Sequence, residues 1–100
     1  MKIQVEKGLV NYIESLQYEK DRTNEIVAFM LSHDYDTNTN TFKQWDKDNQ
    51  IAYAKYREAK NNLENKYILS RAEFKNKITT WSLNFETGTL TVRVVNAEKD

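Results

Sequence analysis

The chain contains no proline and only two glycines, Gly8 and Gly88, among its 100 residues. A globular chain of this length carries about five prolines and about seven glycines. These two residues most often interrupt regular structure, so their scarcity favours long, uninterrupted helices. We therefore expect few helical elements, each of several turns.

Residues 9–33 are predicted to form the first helix. An apolar stripe at spacings of three and four residues begins it: Leu9, Tyr12, Ile13 and Leu16. A second apolar stretch lies near its C-terminal end: Ile26, Val27, Met30 and Leu31. The polar residues 17–25 separate the two stretches, so a break near residues 21–24 is the alternative to one continuous helix.

The strongest periodicity lies in residues 42–69, which are predicted to form the second helix. Apolar, small and polar residues recur there at alternating spacings of three and four, as in a heptad seam: Phe42, Trp45, Asn49, Ala52, Tyr56, Ala59 and Leu63. Thr41 and Gln44 have the spacing of a capping box, which predicts Thr41 as the N-cap. The polar loop 34–40 precedes this helix.

Residues 81–95 are predicted to form a β-hairpin, because apolar and polar residues alternate on both sides of a Glu-Thr-Gly-Thr stretch. A four-residue loop at 86–89 fixes the predicted cross-strand pairs: Phe85 with Leu90, Leu83 with Val92, and Trp81 with Val94. Residues 2–7 also alternate, and either add a third strand or begin the first helix. Residues 96–100 are predicted to be a tail.

The predicted fold class is therefore α+β, in a single domain over residues 1–100. Two long antiparallel helices are followed by a C-terminal β-hairpin. The N-terminal segment is a candidate for a short strand that completes a small antiparallel sheet. The helices are the available cover for the apolar face of the hairpin, since an isolated hairpin is only marginally stable.

Several kinds of chemistry are excluded by composition. The chain has no cysteine, which removes disulfides, thiolate metal ligands and cysteine nucleophiles. His33 is the single histidine, so a two-histidine metal site is excluded. Two isolated glycines do not make a phosphate-binding loop. We therefore expect a protein that is not an enzyme and that needs no cofactor.

The loop between the helices contains the candidate metal ligands. Asp34, Asp36 and Asn38 match positions 1, 3 and 5 of an EF-hand calcium loop. Position 6 is Thr39 in place of glycine, and position 12 is Trp45 in place of a bidentate glutamate. The sequence therefore predicts no metal site, and these three oxygen-bearing residues remain the candidates for one.

Charge is uneven beneath a formal net charge of zero. Residues 51–80 carry seven basic and three acidic side chains, and tyrosines lie among the basic ones. Basic and aromatic residues together are typical of a nucleic-acid surface. The residues of this predicted surface are Lys55, Arg57, Lys60, Lys66, Arg71, Lys75 and Lys77. A small nucleic-acid-binding protein is the alternative function.

A protein–protein interaction or assembly module is the preferred function. Aromatic residues are enriched at interface hot spots, and the second helix and its extension carry five candidates for partner binding: Phe42, Trp45, Tyr53, Tyr56 and Tyr67. The heptad spacing favours self-association, so the expected partner is another protein or a second copy. We expect a cytoplasmic adaptor without membrane contact. Its eleven Asn and eleven Lys residues suggest a low-GC bacterial, phage or mobile-element origin.

Overall fold

The computed structural model describes residues 1–95. Strand β1 (Lys2–Gln4) is followed by helix α1 (Lys7–Ser32) and helix α2 (Asn40–Glu64). A π-helical turn at Asn65–Leu69 and a 3-10 turn at Ala72–Phe74 lead to strands β2 (Thr79–Asn84) and β3 (Thr89–Val94). The predicted α+β fold, with a helical hairpin before a β-hairpin and an N-terminal strand, is confirmed. The predicted tail lies outside the described residues.

Two compact units divide the chain. The sheet unit comprises Met1–Tyr12 and the chain from Lys60 onward, and the helical unit comprises Ile13–Ala59. The core of the sheet unit includes Ile3, Val5, Leu90 and Val92. The prediction of a single domain stays a prediction.

Helix α1 is continuous through its polar middle, so the break near residues 21–24 does not occur. Thr23 lies at the centre of this stretch and is only 1% exposed. Its hydroxyl donates to the Glu19 carbonyl at 2.9 Å and accepts from Asn49 Nδ2 of α2 at 2.9 Å. Because the buried hydroxyl is satisfied by both helices, the polar stretch is compatible with an unbroken helix.

The apolar stripe of α1 is narrower than the sequence indicates. Ile13, Val27 and Met30 are buried, whereas Tyr12 and Leu31 are exposed. Each exposed residue is next to a buried one in sequence, and neighbouring helical residues lie about 100° apart around the axis. Tyr12 and Leu31 therefore lie at the exposed margin of the predicted apolar face.

The heptad seam of α2 packs against α1 within the helical unit. Phe42 forms a buried cluster with Val27 and Met30, and Trp45 packs against it. Helix α2 begins at Asn40, and Thr39 is its N-cap: the Thr39 hydroxyl accepts from the Phe42 N–H at 3.2 Å. The predicted cap at Thr41 was wrong by two residues. The α-helix ends at Glu64, and the predicted helical path to residue 69 continues as the π-helical turn.

The sheet has the order β1-β3-β2, and both pairings are antiparallel. Strand β1 places Ile3 opposite Leu90. The hairpin has a four-residue turn, but it comprises residues 85–88 rather than 86–89, and the observed pairs are Leu83 with Leu90 and Trp81 with Val92. The predicted register was therefore wrong by two residues, although the apolar face is the same.

The turn residue Asn84 explains the observed register. Its side-chain oxygen accepts from the N–H groups of Glu86 and Thr87 at 2.8 and 3.1 Å. Its carbonyl accepts from the N–H of Gly88, which adopts a φ of 72°. Asn84 thus closes the turn as the last residue of β2, so Phe85 becomes part of the loop.

Candidate interaction surface

Two of the five predicted partner-binding residues lie at one end of the helical hairpin. Phe42 is part of the buried cluster described above. Trp45 is half-buried, and the guanidinium carbon of Arg22 lies 5.7 Å from its ring centroid. Arg22 also forms an ion pair with Glu19 at 2.6 Å, and this carboxylate raises the pKa of the guanidinium. Both rings therefore contact α1 of the same chain.

Tyr53 and Tyr56 share a cation from α1. The Lys20 ammonium lies 5.3 and 4.9 Å from their ring centroids, within cation–π range. The Tyr56 hydroxyl donates to Gln17 Oε1 at 3.1 Å. The hydrogen bond from Lys20 to Asp21 raises the pKa of the ammonium group. Tyr53 is the one exposed residue of the five candidates, with 38% of its surface accessible.

Tyr67 lies in the π-helical turn of the sheet unit. Its hydroxyl accepts from the backbone N–H of Glu6 at 3.3 Å. The Lys66 ammonium lies 5.5 Å from the Tyr67 ring centroid and 2.9 Å from the Glu6 carboxylate. All five aromatic candidates thus have contacts within the chain, and their binding of a partner stays a prediction.

The acidic loop shows turn geometry. The side chains of Asp34, Asp36 and Asn38 are exposed, and Asp36 Oδ1 accepts from the Asn38 N–H at 2.9 Å, as in an Asx turn. Among residues 1–95, no group of three or more His, Cys, Asp and Glu side chains is arranged to hold a metal ion.

The predicted basic surface is not one face of a helix. Lys55 and Arg57 are two residues apart on α2, which places them about 200° apart around its axis. Lys66 pairs with Glu6, and the Lys60 ammonium lies 5.3 Å from the Trp81 ring centroid. Arg71, Lys75 and Lys77 follow α2 and lie in the sheet unit. Nucleic-acid binding stays a prediction, and the distribution of these basic residues over several elements gives it no further support.

The outer face of α1 carries an aromatic stripe that the sequence analysis missed. Tyr18 and Phe29 are 68% and 61% exposed, and Arg22 and Glu25 lie between them. The four positions are spaced by four, three and four residues, so they lie on one side of the helix. We call them the outer stripe. Thr23, Val27 and Met30 mark the buried side of the helix.

The C-terminal end of the outer stripe is held in place by His33. Its ring stacks on Phe29 with centroids 4.0 Å apart and an interplanar angle of 26°. His33 Nδ1 lies 2.9 Å from the Phe29 carbonyl. This stacking restricts the Phe29 ring while most of its surface stays accessible. The signal in the sequence was the heptad spacing from Tyr18 to Phe29, which matches that of the α2 seam.

Acidic side chains dominate the charge beside the outer stripe. Glu25 belongs to it, and Glu14 lies one turn before Tyr18. The basic residues of the same stretch, Lys20 and Arg22, are paired with Asp21 and Glu19. A binding partner that matches this face would therefore present apolar side chains with basic neighbours.

The chain matches no protein-family model, no curated protein and no solved structure. Within residues 1–95, neither helix combines the length and the apolar character that a membrane crossing requires.

Proposed function

We propose that the chain is a non-enzymatic, cytoplasmic protein-interaction module that binds a partner helix on the outer stripe of α1. The observation that supports this most is the exposure of Tyr18 and Phe29 on one heptad stripe. Single exposed apolar residues are ordinary on a protein surface, whereas an aligned set favours an interaction site. The preferred function from sequence is retained, and the aromatic helical face moves from α2 to α1.

The chemistry of the outer stripe suits helix-on-helix recognition. Tyr and Arg are enriched at interface hot spots, and aromatic rings bury large areas at little entropic cost. Tyr18 and Phe29 are eleven residues apart, which spans about 16 Å along a helix. An amphipathic partner helix of three to four turns would cover this distance with apolar anchors at matching spacing.

The aromatic candidates on α2 are less suited to this role. The Trp45, Tyr53 and Tyr56 rings lie beneath cations of α1. Binding a partner there would require these contacts to be replaced. Tyr18 and Phe29 are more exposed than these rings and share one heptad stripe, which favours them as the anchors for a partner helix.

Affinity capture with matched variants tests the proposal. Tagged wild-type chain, Tyr18→Ser and Phe29→Ser are expressed in the cells of origin, and the co-purified proteins are quantified by mass spectrometry. We expect one or a few proteins to co-purify with the wild type, and we expect their co-purified amount to fall at least tenfold with either variant. Ile51→Ser is the matched control, because Ile51 is an exposed apolar residue of α2.

The folded state is checked for each variant by circular dichroism and thermal unfolding. Since both aromatic side chains are exposed, we expect the variants to unfold near the wild-type temperature. Identical sets of captured proteins for wild type, Tyr18→Ser and Phe29→Ser would refute the proposal. Loss of the same proteins with Ile51→Ser alone would place the binding surface on α2 instead.

A further inference from the structure

Strand β2 forms an open edge of the sheet. Within residues 1–95 it pairs on one side only, with β3. The opposite outer strand, β1, has only three residues, whereas β2 has six. An unpaired edge of this length presents a row of backbone donors and acceptors to which another strand can bind.

The side chains of β2 lack the features that protect such edges. Natural edge strands are usually interrupted by charged residues, prolines or bulges. Strand β2 reads Thr-Thr-Trp-Ser-Leu-Asn, without an ionisable side chain or a proline. Its six residues pair with β3 in an unbroken register. Thr and Trp also have high β propensity, so the strand is well suited to pairing on its second side.

The backbone groups that face the open edge follow from the pairing with β3. The Ile78 carbonyl accepts from the Val95 N–H at 2.7 Å, so Ile78 is directed toward β3. In an antiparallel pair, successive residues alternate between groups that face the partner and groups that face away. The residues whose backbone groups face outward are therefore Thr79, Trp81 and Leu83.

We propose that this edge binds β2 of a second copy of the chain, antiparallel, about a twofold axis at Trp81. In this register Trp81 lies opposite Trp81 of the second copy, and Thr79 lies opposite its Leu83. All outward donors and acceptors of these three residues are then paired. The two three-stranded sheets join into one continuous sheet of six strands with both apolar faces on the same side.

Charge at the two ends of β2 favours a second copy over an unrelated segment. Lys75 and Lys77 precede the strand and Glu86 follows it, and all three side chains are exposed. An antiparallel twofold brings the basic end of each strand beside the acidic end of the other, so the edge is complementary to itself. A parallel pairing would place like charges together.

The β2 edge and the outer stripe share no residue, and the edge lies in the sheet unit. The proposed dimer therefore does not depend on the proposed function, and the two are tested by different variants.

Cysteine cross-linking tests the dimer directly, because the natural chain has no cysteine. In the proposed register Thr80 of one copy faces Ser82 of the other as a non-hydrogen-bonded pair. The Cα atoms of such pairs lie about 4.5 Å apart, within the range that a disulfide spans. We expect a mixture of Thr80→Cys and Ser82→Cys chains to form a disulfide-linked dimer on mild oxidation.

Two controls are built into the same experiment. Either variant alone is expected to cross-link much less, because identical positions lie diagonally and about 7 to 8 Å apart. A mixture of Thr80→Cys with Thr91→Cys is expected to form no disulfide-linked dimer, since Thr91 lies on the central strand β3 opposite Ser82 of its own chain. Thr80 and Ser82 are exposed, so their substitution preserves the hairpin.

Light scattering of the wild type provides an independent readout. We expect a mass of twice 11.9 kDa at high micromolar concentration. A mass of 11.9 kDa at every concentration would overturn the proposal, as would a mixture that cross-links no better than the Thr91→Cys control. Efficient cross-linking by Ser82→Cys alone would move the axis to Ser82 and refute the proposed register.

Discussion

At the scale of single residues, a buried hydrogen bond between Thr23 and Asn49 joins the central polar segments of α1 and α2. Asn49 Nδ2 donates to the Thr23 hydroxyl at 2.9 Å and lies 3.4 Å from the Lys20 carbonyl. A buried hydroxyl needs such partners. The pair fixes which turns of the two helices meet, as a polar residue does in a coiled-coil seam.

Replacing Asn49 is expected to destabilise the fold. Asn49→Ala removes a half-buried donor, and we expect the free energy of unfolding in urea to fall by about 1 kcal/mol. Asn62→Ala is the control, because Asn62 is exposed on the same helix. It is expected to raise stability by a few tenths of a kcal/mol through helix propensity. Equal losses from both variants would contradict a structural role for the Thr23–Asn49 bond.

Substitution by alanine is expected to have opposite effects on stability at the two glycines. At Gly88, with φ of 72°, an added Cβ would lie 2.8 Å from Gln4 Nε2. Gln4 itself donates to the Thr87 carbonyl, so the new methyl group disturbs that bond. We expect Gly88→Ala to cost about 1 to 2 kcal/mol. Gly8→Ala, where nothing lies within 4 Å, is expected to stabilise by up to about 1 kcal/mol in thermal unfolding.

The Lys66–Glu6 ion pair is expected to make the stability of the fold depend on pH in the alkaline range. Its hydrogen bond and its charge both raise the pKa of Lys66. A raised pKa stabilises the fold below the unfolded value of about 10.4, and this contribution is lost as pH rises through the folded value. At neutral pH we therefore expect Lys66→Met to have a lower Tm than the wild type. This difference should vanish in strong alkali, where Lys66 of the wild type is also uncharged.

At the scale of elements, the N-terminus of α2 shows what a capping motif in sequence does and does not specify. Thr39 and Thr41 are both plausible caps in a Thr-rich loop. The Asp36 carbonyl accepts from the Thr39 hydroxyl at 2.9 Å, and this turn leaves Thr39 oriented toward the Phe42 N–H. The local turn at Asp36 therefore favours Thr39 over Thr41 as the cap.

The two threonines provide a matched pair of variants. Thr39→Ala is expected to lower the free energy of unfolding by about 1 kcal/mol, the usual contribution of an N-cap. Thr41→Ala is expected to change it by less than about 0.5 kcal/mol, because Thr41 is exposed within the first turn. A larger loss at Thr41, measured by the same urea titration, would restore the cap predicted from sequence.

The hairpin register marks the limit of pattern-based prediction for strands. Alternation specifies which side chains share a face, and the apolar face of β2 and β3 was predicted correctly. Registers that differ by two residues keep the same face, so alternation does not distinguish them. The Asx-type turn at Asn84 selects the observed register through the hydrogen bonds that its side-chain oxygen accepts from Glu86 and Thr87. The alternation of apolar and polar residues carries no information about these bonds.

At the scale of the whole molecule, the fold class predicted from the sequence is confirmed, whereas the interaction surface stays a prediction. The scarcity of glycine and proline and the heptad seam of α2 were sufficient for the helical hairpin. The same seam was interpreted as a contact with another molecule, because sequence periodicity does not say which surface covers a stripe. The structure covers it with α1, and the second heptad stripe, at Tyr18 and Phe29, remains accessible.

Site-specific photo-cross-linking is the measurement that most directly tests which stripe binds a partner. A photoreactive amino acid is placed at position 29 or at position 53, and cells of origin are irradiated. Both native side chains are exposed, so both variants should fold. We expect a discrete adduct from position 29 and none from position 53. An adduct from position 53 alone would restore the α2 seam as the interface and contradict binding at the outer stripe.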